Sequence, residues 1–259
     1  YDTAYLAQGS ARSATLAWLA RIPRRIGFDT SAGRRWYTDR IRYDATAHHA
    51  TRLLSLAGVH RRGPLRPSLH PSAQATDHAI ALLAQFPADD RRPIVALAPG
   101  SVWATKRWPH YPALAATLAP HVRLLLIGGP DDQPLAATIR EAAGPGAALI
   151  DTVGQVPLPV SAALLAGVQA VVTNDSLPLH LASAMDTPTV AIFGPTVPAF
   201  GFGPLASRAV VVEHEAMPCR PCHAHGPMRC PLTHFRCMVD VSVARVRRAL
   251  AELDVVPPI

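Results

Sequence analysis

The sequence predicts an α/β protein whose sheets are parallel and doubly wound, in the Rossmann-like manner. Three observations predict it. From residue 93 onward, apolar runs of strand length alternate with stretches of helical period. The runs are continuously apolar, which marks strands buried on both faces. The turns that follow them carry Gly, Ser, Asn and Asp, where such a sheet receives its ligands.

Each element follows from its own residues. Residues 4–7 form a short strand-like run, 10–20 have helical period, and 22–28 read as a second buried strand. Residues 46–57 form an amphipathic helix. Residues 58–75 are rich in Pro, Gly, His and Arg and read as a loop and linker, followed by a helix over 76–86. Strands are then expected at 94–98, 122–127, 148–151, 170–173, 189–193 and 209–212. Helices are expected between them at 111–119, 134–143, 160–166 and 178–185. An amphipathic helix at 242–253 precedes VVPPI, which reads as a frayed end. The domain reading is 1–88, 89–240, and a C-terminal helix and tail at 241–259. No GxGxxG fingerprint, internal repeat or low-complexity segment stands in the sequence.

Composition excludes several classes. With 259 residues, 49% hydrophobic and 17% charged, the chain can build real cores. It is not a disordered chain, a collagen-like repeat or a small disulfide-stapled scaffold. No apolar run approaches the roughly 18 residues a membrane-spanning helix needs. The opening residues lack the basic start of a secretory signal. The first methionine is Met185, so the chain reads as a fragment or processed product.

Charge is uneven. Net charge is +7, yet residues 1–66 hold twelve Arg and four Asp, so the basicity lies in the first quarter. Such a face suits an anionic partner, whereas an ordinary solvated Arg-rich surface would look the same. Of the 25 cationic side chains, 24 are Arg and one is Lys106. A solitary lysine in so Arg-biased a chain marks a place where a compact ammonium serves better than a planar fork.

Four turns carry candidate chemistry. After 94–98 come Gly100, Ser101, Thr105, Lys106 and Arg107, a small-residue turn with cations ahead of a helix. That is a sound anion site. After 122–127 come Gly128, Gly129, Asp131 and Asp132. Here an acid either accepts from a sugar hydroxyl or caps the next helix. After 170–173 come Asn174, Asp175 and Ser176, with His180 one helical turn on. Either these hold a phosphate at a helix start, or Asp175 and Ser176 merely cap and His180 is a core histidine. Gly194, Pro195 and Thr196 form the fourth turn. Together the turns point to a phosphorylated ligand, most simply a nucleotide.

All four cysteines lie in one window: Cys219, Cys222, Cys230 and Cys237, with His223, His225 and His234 among them. Three readings stand: a structural zinc or iron site, reduced thiols packing a loop, or disulfides.

APGSVWATKRWP, NDSLPLH and VAIFGPT resemble the bacterial ADP-heptose–lipopolysaccharide heptosyltransferases of glycosyltransferase family 9, the heptosyltransferase II branch most closely. YDTAYLAQGSARSA and IPRRIGF resemble that family's first domain. The resemblance implies a GT-B fold of two Rossmann-like domains, the first incomplete here. The N-terminal domain would take the acceptor and the C-terminal domain the nucleotide-sugar. It implies inverting transfer of L-glycero-D-manno-heptose from ADP-heptose to a heptose on the lipid A–Kdo core, with no cofactor required for catalysis. It also implies a cytoplasmic protein, peripheral at the inner face of the inner membrane, with no nucleic-acid partner. By motif, Lys106 would hold the donor diphosphate and steady departing ADP, and Ser101 would bond a phosphate oxygen. Asp175, Ser176 and His180 would hold heptose and phosphates, and Asp131 would lie near ribose or adenine. Leu177 stands where many members have Gly. Members open with a glycine-rich loop bearing an Asp thought to be the general base. Here that base would lie outside the chain, which alone would bind donor weakly and transfer nothing. Two other readings are a GT-B transferase or epimerase using a different nucleotide-sugar, and a basic nucleic-acid-binding metal finger. The last is disfavoured because the excess Arg lies far from the cysteines.

Overall fold

The computed structural model describes residues 1–59 and 65–257. The chain divides into two compact units, 1–65 with 199–202, and 66–198 with 203–259.

The first unit contains β1 (Thr3–Leu6), α1 (Ala11–Leu19), β2 (Arg24–Phe28), β3 (Asp39–Ile41) and α2 (His49–Leu56). The strands are parallel, in the order β1-β2-β3. Its core is small: Ile26, Phe28 and Leu56, with Ile41 and Tyr43 against them. Arg52 is buried in this unit. Its guanidinium donates to the Tyr43 hydroxyl at 2.5 Å and to the carbonyls of Ala45 and Phe200 at 3.0 Å. His49 N donates to Gly201 O at 2.8 Å. Gly201 has φ +94, and a Cβ there would crowd Ala47 O at 2.9 Å. These bonds hold 199–202 to the first unit.

The second unit contains α3 (Ala73–Leu83), β4 (Ile94–Ala98), α4 (Tyr111–Leu118), β5 (Arg123–Leu126), α5 (Gln133–Ala143) and β6 (Leu149–Asp151). It continues with α6 (Leu158–Ala166), β7 (Ala170–Asn174), α7 (Leu177–Met185) and β8 (Thr189–Phe193). β9 (Ala209–Glu213), α8 (Arg236–Val239) and α9 (Val243–Glu252) complete it. All six strands are parallel, in the order β6-β5-β4-β7-β8-β9. The order reverses between β4 and β7, so a crevice for ligands is expected beyond their C-terminal ends.

Alternation along β4 explains the double winding. Val95 and Leu97 join the core layer containing Leu114, Leu118, Ile139, Val246 and Leu250. Ile94, Ala96 and Ala98 join the opposite layer, with Ala79, Val160, Leu164 and Leu181. A strand buried on both faces has no polar position to spare, hence its unbroken apolar run. α6 is nearly all apolar for the same reason, with six of its residues buried.

Several sequence expectations shift. Residues 66–88, grouped with the first domain, belong to the second unit, because α3 packs on α6. α3 begins at Ala73, since the Ser72 hydroxyl accepts the Ala75 N–H at 3.2 Å and caps it. β3 escaped the sequence reading because Asp39-Arg40-Ile41 is short and polar. Val256, within the tail read as frayed, is buried against the core. Residues 60–64 of the expected linker and 258–259 of the tail lie outside the described residues. Among the described residues no helix is long and apolar enough to cross a membrane.

Leu97 sits fully buried in the central strand. Leu97→Ala is expected to cost about 2–5 kcal/mol in urea unfolding; a loss below about 1 kcal/mol would contradict this core assignment.

Candidate functional site

The site is built on the two turns at the reversal of strand order. The turn after β4 tightens into a 3₁₀ turn at Ala104–Lys106, and Lys106 is only 8% exposed. An ammonium so placed requires a partner. It finds Asp175, just past β7: Nζ donates to Oδ2 at 2.6 Å. The Thr196 hydroxyl, in the turn after β8, donates to the same oxygen at 2.7 Å. Asp175 N donates to Ile192 O at 3.2 Å. Three neighbouring turns thus converge on one carboxylate oxygen.

Asn174 fixes the first turn against the second. Its Nδ2 donates to Pro99 O at 2.8 Å, and its Oδ1 accepts from Trp108 N at 3.2 Å. Trp108 is itself anchored, its indole N–H donating to Val241 O at 2.8 Å. The Tyr111 hydroxyl donates to Ala98 O at 3.2 Å, and burial raises its pKa well above the ordinary phenol value. The phenol therefore acts as a neutral donor.

The other expected site residues fall as follows. Ser101 lies in the same turn as Lys106; its hydroxyl accepts from Trp103 N at 3.3 Å, and its carbonyl accepts from Arg107 Nε at 2.8 Å. Ser176 stands at the N-cap position of α7, yet its hydroxyl makes no capping bond. That oxygen is buried with no hydrogen-bond partner. A buried hydroxyl left unpaired costs roughly 1–3 kcal/mol, so this is a position that a ligand oxygen would relieve. His180 is partly buried in the first turn of α7. Asp131 is exposed, in the Pro130–Asp132 turn. It is Asp132 whose carboxylate accepts from Gly129 N at 2.9 Å. That carboxylate also fills the space where a Cβ on Gly100 would stand, so Gly100 must lack a side chain.

Sequence reasoning missed Asn174, Thr196 and Asp132 as organisers of the site. The first two lie inside motifs it quoted, but nothing in their spacing indicates which groups they bond.

The metal reading of the cysteines gains no support from the geometry. Among the described residues no three His, Cys, Asp or Glu side chains are grouped to hold an ion, and all four cysteines are free thiols. Cys237 is buried at α8, and burial pushes its thiol up to about 11. Cys222 is likewise raised by burial, and its thiol lies 3.9 Å from Pro195 O. Cys219 Sγ lies 3.9 Å from His234 Nε2. The segment folds as a loop against the Pro195 turn.

A family model described as glycosyltransferase family 9 (heptosyltransferase) matches residues 1–230. The chain is 31% identical over 227 residues to lipopolysaccharide heptosyltransferase 2 of Salmonella typhimurium, covering 82% of this chain and 65% of that protein. It therefore spans just under two thirds of that relative's length. The structure of E. coli ADP-heptose LPS heptosyltransferase II is similar, with 27% identity and a TM-score of 0.76 over 98% of this chain and 76% of that one. E. coli heptosyltransferase WaaC with ADP-2-deoxy-2-fluoro heptose shares the fold, at 23% identity and a TM-score of 0.61, over 97% of this chain and 72% of that one. The two parallel sheets flanked by helices make a GT-B-like fold.

Removing one partner of a buried pair leaves the other charge uncompensated. Asp175→Asn is expected to destabilise by about 3–5 kcal/mol. Lys106→Met in the same chain should recover much of that loss in urea unfolding. Losses that simply add in the double variant would show that the two groups are not coupled.

Proposed function

The chain belongs to glycosyltransferase family 9, and from that premise we propose that it binds ADP-heptose and serves transfer of heptose, with inversion, to a heptose of the lipopolysaccharide inner core. The observation that carries the reading is the Lys106–Asp175 pair at the reversal of strand order, one residue from the unpartnered Ser176 hydroxyl.

The chemistry follows from those groups. An acceptor hydroxyl, its proton passing to a general base that the residues named here do not supply, attacks the anomeric carbon as the bond to the β-phosphate oxygen breaks, and negative charge gathers on the departing ADP. A fixed cation beside that oxygen lowers the barrier, because it needs no reorganisation when the charge develops. Lys106 supplies it: one of its three N–H donors is spent on Asp175, and the others suit phosphate oxygens. The N-terminus of α7 adds backbone N–H donors of the same sign, and Ser176 a hydroxyl. Ser101 offers a further hydroxyl on the β4 side. Asp175 would repel a diphosphate were its charge not met by Lys106 and Thr196. So held, it both steadies the ammonium and suits a sugar hydroxyl, a role shared with His180. Asp131 is proposed for the ribose or adenine end. The reading requires no metal for departure of ADP, since the cation is the lysine itself.

The first unit is the proposed acceptor side. Arg12, Arg21, Arg34, Arg35, Arg40 and Arg42 are exposed there, a surface complementary to a polyanionic lipid A–Kdo–heptose acceptor. Peripheral association with the cytoplasmic face of the inner membrane is part of the same proposal.

Calorimetry with ADP, ADP-heptose and UDP-sugars tests the donor. ADP and ADP-heptose are expected to bind and UDP-sugars to bind much more weakly; the reverse order would transfer the assignment to another nucleotide-sugar. Stabilisation by an oligonucleotide but not by ADP would overturn the enzyme reading. In the same calorimetry, Lys106→Met is expected to weaken ADP binding by about tenfold or more. An unchanged affinity would remove Lys106 from the diphosphate site.

A further inference from the structure

We propose that Arg220 is a positioning residue for the Lys106–Asp175 pair, acting through the turn at Gly194-Pro195-Thr196. The inference rests on the donor-binding reading above and adds a residue outside the four turns.

The Arg220 side chain is 6% exposed, far less than an arginine without a task. Its guanidinium is spent almost wholly on main-chain oxygens. Nε donates to Gly194 O and Nη1 to His214 O. Nη2 donates to Thr196 O at 3.0 Å and lies 3.5 Å from Phe193 O, with Glu213 Oε2 at 2.6 Å balancing the charge. One planar fork therefore ties the end of β8, the turn after it and the end of β9 together. A lysine cannot do this, because a single ammonium cannot span acceptors set that far apart.

The turn so held presents Thr196, whose hydroxyl donates to the Asp175 oxygen that also receives Lys106. Freeing that turn frees the hydroxyl, and with it the orientation of the carboxylate that aims the ammonium. The same stretch of chain also reaches the pair from the lysine side. Thr105 donates through both its N–H and its hydroxyl to Pro227 O. Gly226, at φ +85, lies against the lysine stem: a Cβ there would stand 3.2 Å from Lys106 Cγ and Cε. Cys222 N donates to Pro195 O at 3.1 Å. The cysteine-bearing segment, which holds no metal cluster among the described residues, thus braces the pair from both ends.

The chain's single lysine makes the test clean, because ¹⁵N-lysine labelling yields one side-chain signal, that of Lys106. Arg220→Gln, Glu213→Gln (which removes only the carboxylate partner of Arg220) and Thr196→Val are compared with the double variant Thr196→Val/Arg220→Gln. Each single change is expected to move or broaden the Lys106 signal, Glu213→Gln least, since it leaves the main-chain acceptors of Arg220 in place. Arg220→Gln should weaken ADP binding by up to about 10²-fold, the scale of an ångström-size misplacement. The double variant should lose no more than the worse single, since both act on one path. If Arg220→Gln fails to fold, Glu213→Gln and Thr196→Val give the same comparison. A Lys106 signal unmoved in the folded variants, or losses that multiply, would overturn the inference. Should the unaltered chain not bind ADP at all, the donor reading fails, while the lysine signal still decides the role of Arg220.

Discussion

A cation almost out of water must be paired, and in this chain the partner stands on the next strand of a reversed sheet. Lys106 follows β4 and Asp175 follows β7, the two strands between which the order of the sheet changes direction. That reversal sends the helices after them to opposite faces and leaves a crevice between the turns. The pair bridges this crevice. Asn174 clamps the β4 turn, Thr196 shares the carboxylate, and Arg220 holds the Thr196 turn. A buried pair is a weak source of stability, since the cost of desolvating both ions offsets their attraction. Its use here is geometric: it fixes one ammonium beside a helix N-terminus and an unpaired hydroxyl.

Most of the second unit was legible in the sequence, for a physical reason. Strands such as Ile94–Ala98 and Ala170–Asn174, buried on both faces, cannot carry a polar residue before their ends. Their apolar runs therefore mark strand and turn alike. The first unit was less legible. Asp39–Ile41 is held as a strand by pairing with β2, not by any pattern of its own. Helix α3 starts early because one serine caps it, a signal four residues ahead of where the apolar period becomes clear. The unit boundary depends on where α3 packs, which is a long-range contact.

The site was legible as a set of turns but not as a set of bonds. Lys106 stood out because the chain otherwise uses only arginine as a cation, and Asp175 because it opens a helix. Nothing in the spacing says that they touch, nor that Asp132 and not Asp131 lies against Gly100. The cysteines were legible as a cluster in sequence, but not in their placement: Cys237 is packed at the core and the others lie along a loop. What that loop supplies instead, an arginine and a carbonyl beside the lysine, has no sequence signature.

The central claim is that this ammonium faces a diphosphate. A crystal structure of the chain with ADP tests it most directly. The account predicts a β-phosphate oxygen about 3 Å from Lys106 Nζ, with Ser176 Oγ taking a phosphate oxygen in the same density. Diphosphate bound elsewhere, with Lys106 still wholly engaged by Asp175 and Ser176 still unpartnered, would contradict it.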